Sequence, residues 1–314
     1  MIYVTGATGH IGNNFVRLLL DKGIAFTILQ RQTGKALVGL DAPSITGDIF
    51  DRKFLGKHIR KGDILVHIAG FIDLKDKYSE LSDEINNIGT KTIVDFCQGL
   101  QVRLIYTSSV DCIYRDKNQI RVAEPDNIDF HKLRSGYAIS KAKGTKYLLD
   151  KINNEQMNAV ILYPSAVIGA NDYKPSAAGL EIYKSLNKRL FFYIKGGYNF
   201  IDVADCALAL LACIQKPLVG QYILAGHNMT IKEFYKEICS LGGHSALFLP
   251  IPGFIARLFV FLIPRFSKVM IDAILDNYQY DNSRMRRDLV MDLTPFSVTV
   301  RNTIMWLKSN YKGK

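Results

Sequence analysis

The chain has 314 residues, 48% of them hydrophobic, which excludes disorder and leaves core enough for one α/β domain or a nucleotide domain with a smaller lobe. A net charge of +11, from 40 basic and 29 acidic residues, favours anionic ligands without naming one, and the basic residues are too scattered for nucleic acid, Arg284-Met285-Arg286-Arg287 being the one short cluster. Cys97, Cys112, Cys206, Cys213 and Cys239 form no CxxC pair and are odd in number, which argues against a metal site and against a disulfide framework.

In chain order, Ile2-Tyr3-Val4 reads as a short buried strand, and Thr5-Gly6-Ala7-Thr8-Gly9-His10-Ile11-Gly12 as a tight glycine turn opening a helix. Glycines permit the turn, let the backbone approach a pyrophosphate, and leave helix N-terminal amides aimed at its charge. The amphipathic run Phe15, Val16, Leu18, Leu19, Leu20 supplies the helix that a dinucleotide fingerprint requires. Gly6, Thr8, Gly9, His10, Ile11 and Gly12 are therefore the candidate bed for a dinucleotide. No secretory signal precedes the first strand, so the expected location is cytoplasmic.

Apolar runs recur at Ala25 to Leu29, Ile64 to Ile68, Arg103 to Thr107 and Ala159 to Leu162, with helical patterns between them. This alternation predicts a doubly wound parallel sheet of the Rossmann type, helices on both faces, with ligands beyond the carboxyl ends of the strands. Pro164 to Gly179 then reads as a loop, followed by a short helix, a Gly196-Gly197 turn and a strand at Gln221 to Leu224. The expected organisation is a nucleotide domain over 1–169, with 198–226 returning to it. A smaller C-terminal lobe over 170–197 and 227–295 would hold the substrate, and 296–314 would form a C-terminal helix.

The apolar stretch from Leu247 to Ile263 is interrupted by Pro250, Pro252, Gly253 and Arg257, short of the roughly 20 residues a membrane span needs. Ile255, Leu258, Phe259 and Leu262 then repeat at helical spacing, with Arg257, Arg265 and Lys268 nearby. A helix covering an apolar substrate pocket is preferred to one lying in a membrane interface.

Two signals carry the chemistry. Thr107-Ser108-Ser109 ends a strand, and Tyr137-Ala138-Ile139-Ser140-Lys141 follows on a helix. Positions i and i+4 share a helix face, so Lys141 is expected to stand near the Tyr137 hydroxyl and favour its phenolate. A second pair, Tyr147 and Lys151, lies ten residues on and faces elsewhere, which marks it as packing.

The glycine turn, Thr107-Ser108-Ser109, the Tyr137/Lys141 pair, the loop Tyr163-Pro164-Ser165-Ala166-Val167-Ile168-Gly169, Phe200-Ile201-Asp202-Val203-Ala204-Asp205 and Tyr280 to Leu289 together resemble the extended short-chain dehydrogenase/reductase family. By that resemblance Tyr137 is the general acid/base, Ser109 bonds the substrate oxygen, and Lys141 holds the nicotinamide ribose and tunes Tyr137. Asn86 matches an asparagine that supports a proton relay. Asp48 and Ile49 match a pair that receives adenine, while Ala69, Gly70, Pro164 and Ser165 match residues lining the cofactor. The resemblance also raises a homodimer formed through the helices of Asn86 and Tyr137.

At the end of the second strand, Thr27-Ile28-Leu29-Gln30-Arg31, no carboxylate awaits the ribose hydroxyls, whereas Arg31 and Lys35 suit a 2′-phosphate; the reading is NADP ahead of NAD. Ser109 is followed by Val110-Asp111-Cys112, without the adjacent acids of sugar dehydratases, and Tyr198-Asn199-Phe200 lacks an arginine for a sugar nucleotide's diphosphate. The pattern is nearer the branch of dihydroflavonol reductases, 3β-hydroxysteroid dehydrogenases and hopanoid-associated relatives. The function expected is NADP(H)-linked interconversion of a ketone and a secondary alcohol on a hydrophobic cyclic substrate. A nucleotide-sugar epimerase with tightly held NAD(P) is the alternative, and a non-catalytic NADP-binding regulator a third.

Overall fold

A computed structural model describes residues 1–73, 78–116, 119, 121–259, 268–289 and 292–311. Its centre is a seven-stranded parallel sheet in the order Gly220–Leu224, Ala159–Pro164, Arg103–Thr107, Ile64–His67, Ile2–Thr5, Thr27–Gln30, Ser44–Thr46. Val4 pairs with Ile28 on one side and Val66 on the other. The chain therefore leaves Ile2–Thr5 in both directions, and a crevice opens beyond the strand ends there.

Both faces of the sheet are covered, which explains the continuous apolar runs. Leu104 and Tyr106 join one buried cluster with Leu29, Leu65, Ile161 and Tyr163, while Ile105, between them, points into the opposite cluster with Val4, Val66 and Val160. The first cluster is covered by helices Thr90–Leu100 and Gly136–Glu155, the second by His10–Asp21 packed against Val203–Gln215. All five cysteines are buried and free.

A third cluster unites Ile168, Ile182, Phe191, Phe200, Phe234, Tyr235 and Phe296 in the C-terminal part of the chain. Two features there differ from the sequence reading. The stretch read as a loop from Pro164 to Gly179 contains a strand, Ala166–Ile168, because Gly197–Asp202 offers it a parallel edge, and His227–Thr230 extends that sheet. The apolar stretch at 247 begins as a strand, Leu247–Ile251, paired in parallel with Leu190–Ile194. A helix follows at Gly253–Phe259, as the spacing predicts; Leu262 and Arg265 lie outside the described residues. Phe248 stacks on Phe191 with ring centroids 5.4 Å apart, and Phe254 faces solvent.

The C-terminal helix Phe296–Asn310 is tied back by two acids at the start of Val203–Gln215. The Thr299 hydroxyl donates to Asp202 Oδ2 at 2.7 Å, and Asp205 accepts from both the backbone and the hydroxyl of Thr294. Among the described residues, no helix is long and apolar enough to cross a membrane.

Candidate active site

The glycine turn sits at the mouth of the crevice. Gly6 has φ +76°, where only glycine is at ease, and a Cβ there would stand 2.5 Å from Ala69 N. A Cβ on Gly12 would fall 2.2 Å from the Gly6 carbonyl oxygen, so helix and turn are in backbone contact. Gly9 caps the helix without a side chain, leaving its first amides open to a ligand. His10 behaves differently from its neighbours: its Nε2 shares a 2.9 Å hydrogen bond with the Ala170 carbonyl, so it ties the turn to the loop after Ile168.

Beyond the Thr27–Gln30 strand, Arg31, Gly47, Asp48, Phe50, Leu81, Glu84 and Ile85 surround a cavity of about 420 Å³. Ile49 is buried in the core beside the sheet, and Phe50, Leu81 and Ile85 supply the apolar wall instead. Lys35, in the short turn Lys35–Leu37, is exposed, while Gly34 lies against Thr8. Nothing in the local pattern announces Leu81 or Ile85, because they arrive from a helix about 35 residues downstream.

On the other side of the crevice, Ser135 caps the helix Gly136–Glu155 by accepting from Ala138 N, which sets Tyr137 in the first turn. Lys141 is one turn further, buried, and donates to Thr107 O at 2.9 Å and Tyr106 Oη at 3.3 Å. Its ammonium also lies close to Gly70, where a Cβ would be 3.1 Å away. Asn86 sits in Glu84–Gly89, one turn of wider π-helix of the kind that often marks a functional position. Its Oδ1 accepts from Phe71 N at 3.0 Å, and its Nδ2 donates to Phe71 O, Ser82 Oγ and Ser140 Oγ. Ser109, Tyr137, Lys141, Asn86, Ala69 and Gly70 thus converge from four separate elements. Tyr147, half-buried against the first cluster, donates to Asp95, and Lys151 donates to Glu155.

The electrostatics correct one expectation. Burial first, then the charges of Asp111 and Cys112, push the Tyr137 phenol well above its ordinary value, against a lowering hydrogen bond from Ser109. Lys141 is turned to the sheet and donates to Thr107 O and Tyr106 Oη. Ser109 Oγ accepts from Asp111 N at 3.2 Å, which leaves its own hydrogen free to donate.

A cluster that the sequence does not announce lies beside Tyr137. Arg115 stands 4.9 Å over the Tyr278 ring, donates to the Tyr280 hydroxyl and faces Asp111 at 3.9 Å. Arg115, Tyr198, Asn199, Tyr278, Tyr280 and Ala273 pack around a crevice too tight to admit a water molecule. Tyr198 is raised well above its ordinary value, first by Asp111 and then by burial. These residues come from three distant stretches, so no spacing rule links them.

With this geometry in view, the family model for the NAD dependent epimerase/dehydratase family matches residues 2–225. The chain belongs to that family. It is an NAD(P)-dependent oxidoreductase of the extended short-chain dehydrogenase type. Sterol demethylase protein B of Methylococcus capsulatus is 25% identical over 97% of each chain. A 4-hydroxy-2-methyl-3-oxo-4-farnesyl-3,4-dihydroquinoline-1-oxide ketoreductase of Stigmatella aurantiaca is 22% identical over 81% of this chain and 77% of its own. The crystal structure of gox2253 superposes on 100% of this chain and 99% of its own with a TM-score of 0.85, at 21% identity.

The residues present fit a nicotinamide dinucleotide. Gly6 and Gly12 leave no room for a Cβ, so backbone alone faces the turn at these two positions, and the cavity at Arg31 and Asp48 is sized for an adenine end. The buried Ser165 Oγ and Thr107 Oγ1 find no hydrogen-bond partner among the described residues, as groups left for a ligand would.

Proposed function

We infer that this family member interconverts a ketone and a secondary alcohol on a hydrophobic cyclic substrate, steroid-, flavonoid- or isoprenoid-like, using NADP(H). The observation that carries the reading is the buried Tyr137 phenol, near Ser109 and Asp111 at the end of the Arg103–Thr107 strand and next to the Tyr198 ring. Two neighbouring hydroxyls, one of them buried, suit a single carbonyl or carbinol oxygen. The names of the two relatives, one a sterol protein and the other a ketoreductase of a farnesylated ring, support the same class.

The nicotinamide, when bound, supplies or accepts the hydride. In reduction Tyr137 gives its proton to the substrate oxygen, and Ser109 donates a hydrogen bond to the charge developing there. A phenol held protonated by burial suits the acid role. Lys141, anchored by Thr107 O, would hold the nicotinamide ribose; Gly6, Thr8, Gly9, Ile11 and Gly12 would hold the diphosphate; Ala69, Gly70, Pro164 and Ser165 would line the path between them. Asn86, tied to Phe71, Ser82 and Ser140, would keep this wall rigid. Arg31, exposed at the adenine cavity with no carboxylate at its strand end, is the residue for a 2′-phosphate. Glu84 faces the same cavity and would oppose that phosphate, so the balance between them is measurable.

The test is a panel of steroid, flavonoid, isoprenoid-quinone and nucleotide-sugar compounds followed by NADPH absorbance, with Tyr137→Phe as control. Oxidation of NADPH by a cyclic ketone, abolished in Tyr137→Phe while NADPH binding persists, is the result expected. Cofactor that copurifies and is never consumed, with turnover of a nucleotide sugar alone, would overturn it in favour of an epimerase.

A further inference from the structure

The two-stranded sheet Leu190–Ile194 with Leu247–Ile251 buries only one of its faces. Residues two apart in a strand share a face, and the register sets Leu247 beside Leu190 and Leu249 beside Phe192. Phe191 and Phe248 lie on the inner face, stacked over the third core cluster. On the outer face Leu190 is 45% exposed, Phe192 59%, Leu247 59% and Leu249 38%, and Phe254, just beyond the second strand, is 66% exposed. A contiguous apolar surface of this kind marks a place that another apolar phase covers.

Charge identifies the phase. Arg189 and Lys195 bracket the first strand and are exposed, whereas Arg257, beyond the second, is paired with Asp272 at 2.6 Å. In the sequence 182–201 contains no aspartate or glutamate, and the acid nearest after 238–271, Asp272, is engaged by Arg257, which leaves Arg189 and Lys195 as the cations of the rim. A second copy docking on this face would bring two basic rims together, whereas an anionic lipid surface complements rim and centre at once: the apolar side chains enter the acyl boundary while arginine and lysine reach the headgroups.

The geometry points to the outer face of this small sheet as a docking surface for an anionic lipid bilayer. Gly197 and Tyr198 follow Ile194 by three and four residues, at most about 14 Å of chain, so docking sets Tyr198 close to the lipid. The surface shares no residue with the catalytic cluster, and its occupancy is read without turnover.

The experiment is flotation of the full chain with NADPH on vesicles of phosphatidylcholine and phosphatidylglycerol at 3:1, and on phosphatidylcholine alone. The protein is expected to float with the anionic vesicles and to be released by high salt. Phe192→Ser with Leu247→Ser is expected to reduce partitioning about tenfold or more with melting temperature and NADPH binding unchanged; Arg189→Gln with Lys195→Gln to reduce it several-fold and flatten its salt dependence. Wild-type protein left in the aqueous fraction with both vesicle types, or flotation unchanged in both double variants, would overturn the proposal. So would a dimer that Phe192→Ser with Leu247→Ser converts to monomer while vesicles are ignored, since the face would then join copies of the chain.

Discussion

Replacing Gly12 by alanine adds one methyl group and tests whether the glycine turn is a backbone contact or merely a flexible stretch. The new Cβ would lie 2.2 Å from the Gly6 carbonyl oxygen, 2.7 Å from its carbonyl carbon and 2.9 Å from Ala7 Cα. Ordinary contact begins near 3.4 Å, so turn and helix must separate by about 1 Å, and Gly6 cannot yield because Ala69 is already against it. Overpacking of this severity costs about 1–3 kcal/mol. At about 2 °C per kcal/mol for a chain of this size, melting should fall by about 2–6 °C. The displaced amides are those a pyrophosphate would use, so NADPH should bind about tenfold or more weakly, about 1.4 kcal/mol. Gly99→Ala is the matched control: it lies in the helix Thr90–Leu100 with open space around its Cβ position, and should stabilise by about 0.4–1 kcal/mol. Calorimetry and NADPH fluorescence titration read both effects. A Gly12→Ala protein that melts with the wild type and binds NADPH within twofold would show the contact to be irrelevant.

Three further outcomes are expected. Because Asp111 raises the Tyr137 phenol, Asp111→Asn should lower it; alcohol oxidation, which needs the phenolate, should then rise at lower pH than in the wild type, and a shift toward higher pH would contradict the assignment. Arg31→Asp should raise the NADPH Michaelis constant about tenfold and spare NADH; equal effects on both would remove Arg31 from phosphate recognition. His67, buried with its Nδ1 against Thr5 Oγ1, is lowered to about 3 by burial and then by Lys141, whereas in the unfolded chain it titrates near 6.5. The unfolded state therefore binds a proton that the folded state refuses, and stability falls by about 1 kcal/mol per pH unit as pH drops below 6.5 toward 3. Denaturation curves of His67→Gln should lose that share of the slope, and parallel curves would show His67 to be uninvolved.

The sequence by itself was enough for the parallel sheet, the glycine turn and the placing of Tyr137 and Lys141 one turn apart on a helix. Each of these is local: a run of buried β-branched residues, a turn that only glycine permits, two side chains one helical turn apart. Strands such as Ala166–Ile168 and Leu190–Ile194 were invisible, since a short strand exists only where a partner from another part of the chain supplies its hydrogen bonds. The pairing of Lys141 was decided the same way. Spacing set it on the face of Tyr137, but the carbonyl of Thr107 and the hydroxyl of Tyr106, delivered by a separate strand, were nearer acceptors. The cluster of Arg115, Tyr198, Tyr278 and Tyr280 and the uncovered face at Phe192 and Leu247 also required the tertiary structure. Burial and charge proximity are properties of neighbours in space, and folding alone brings those neighbours together.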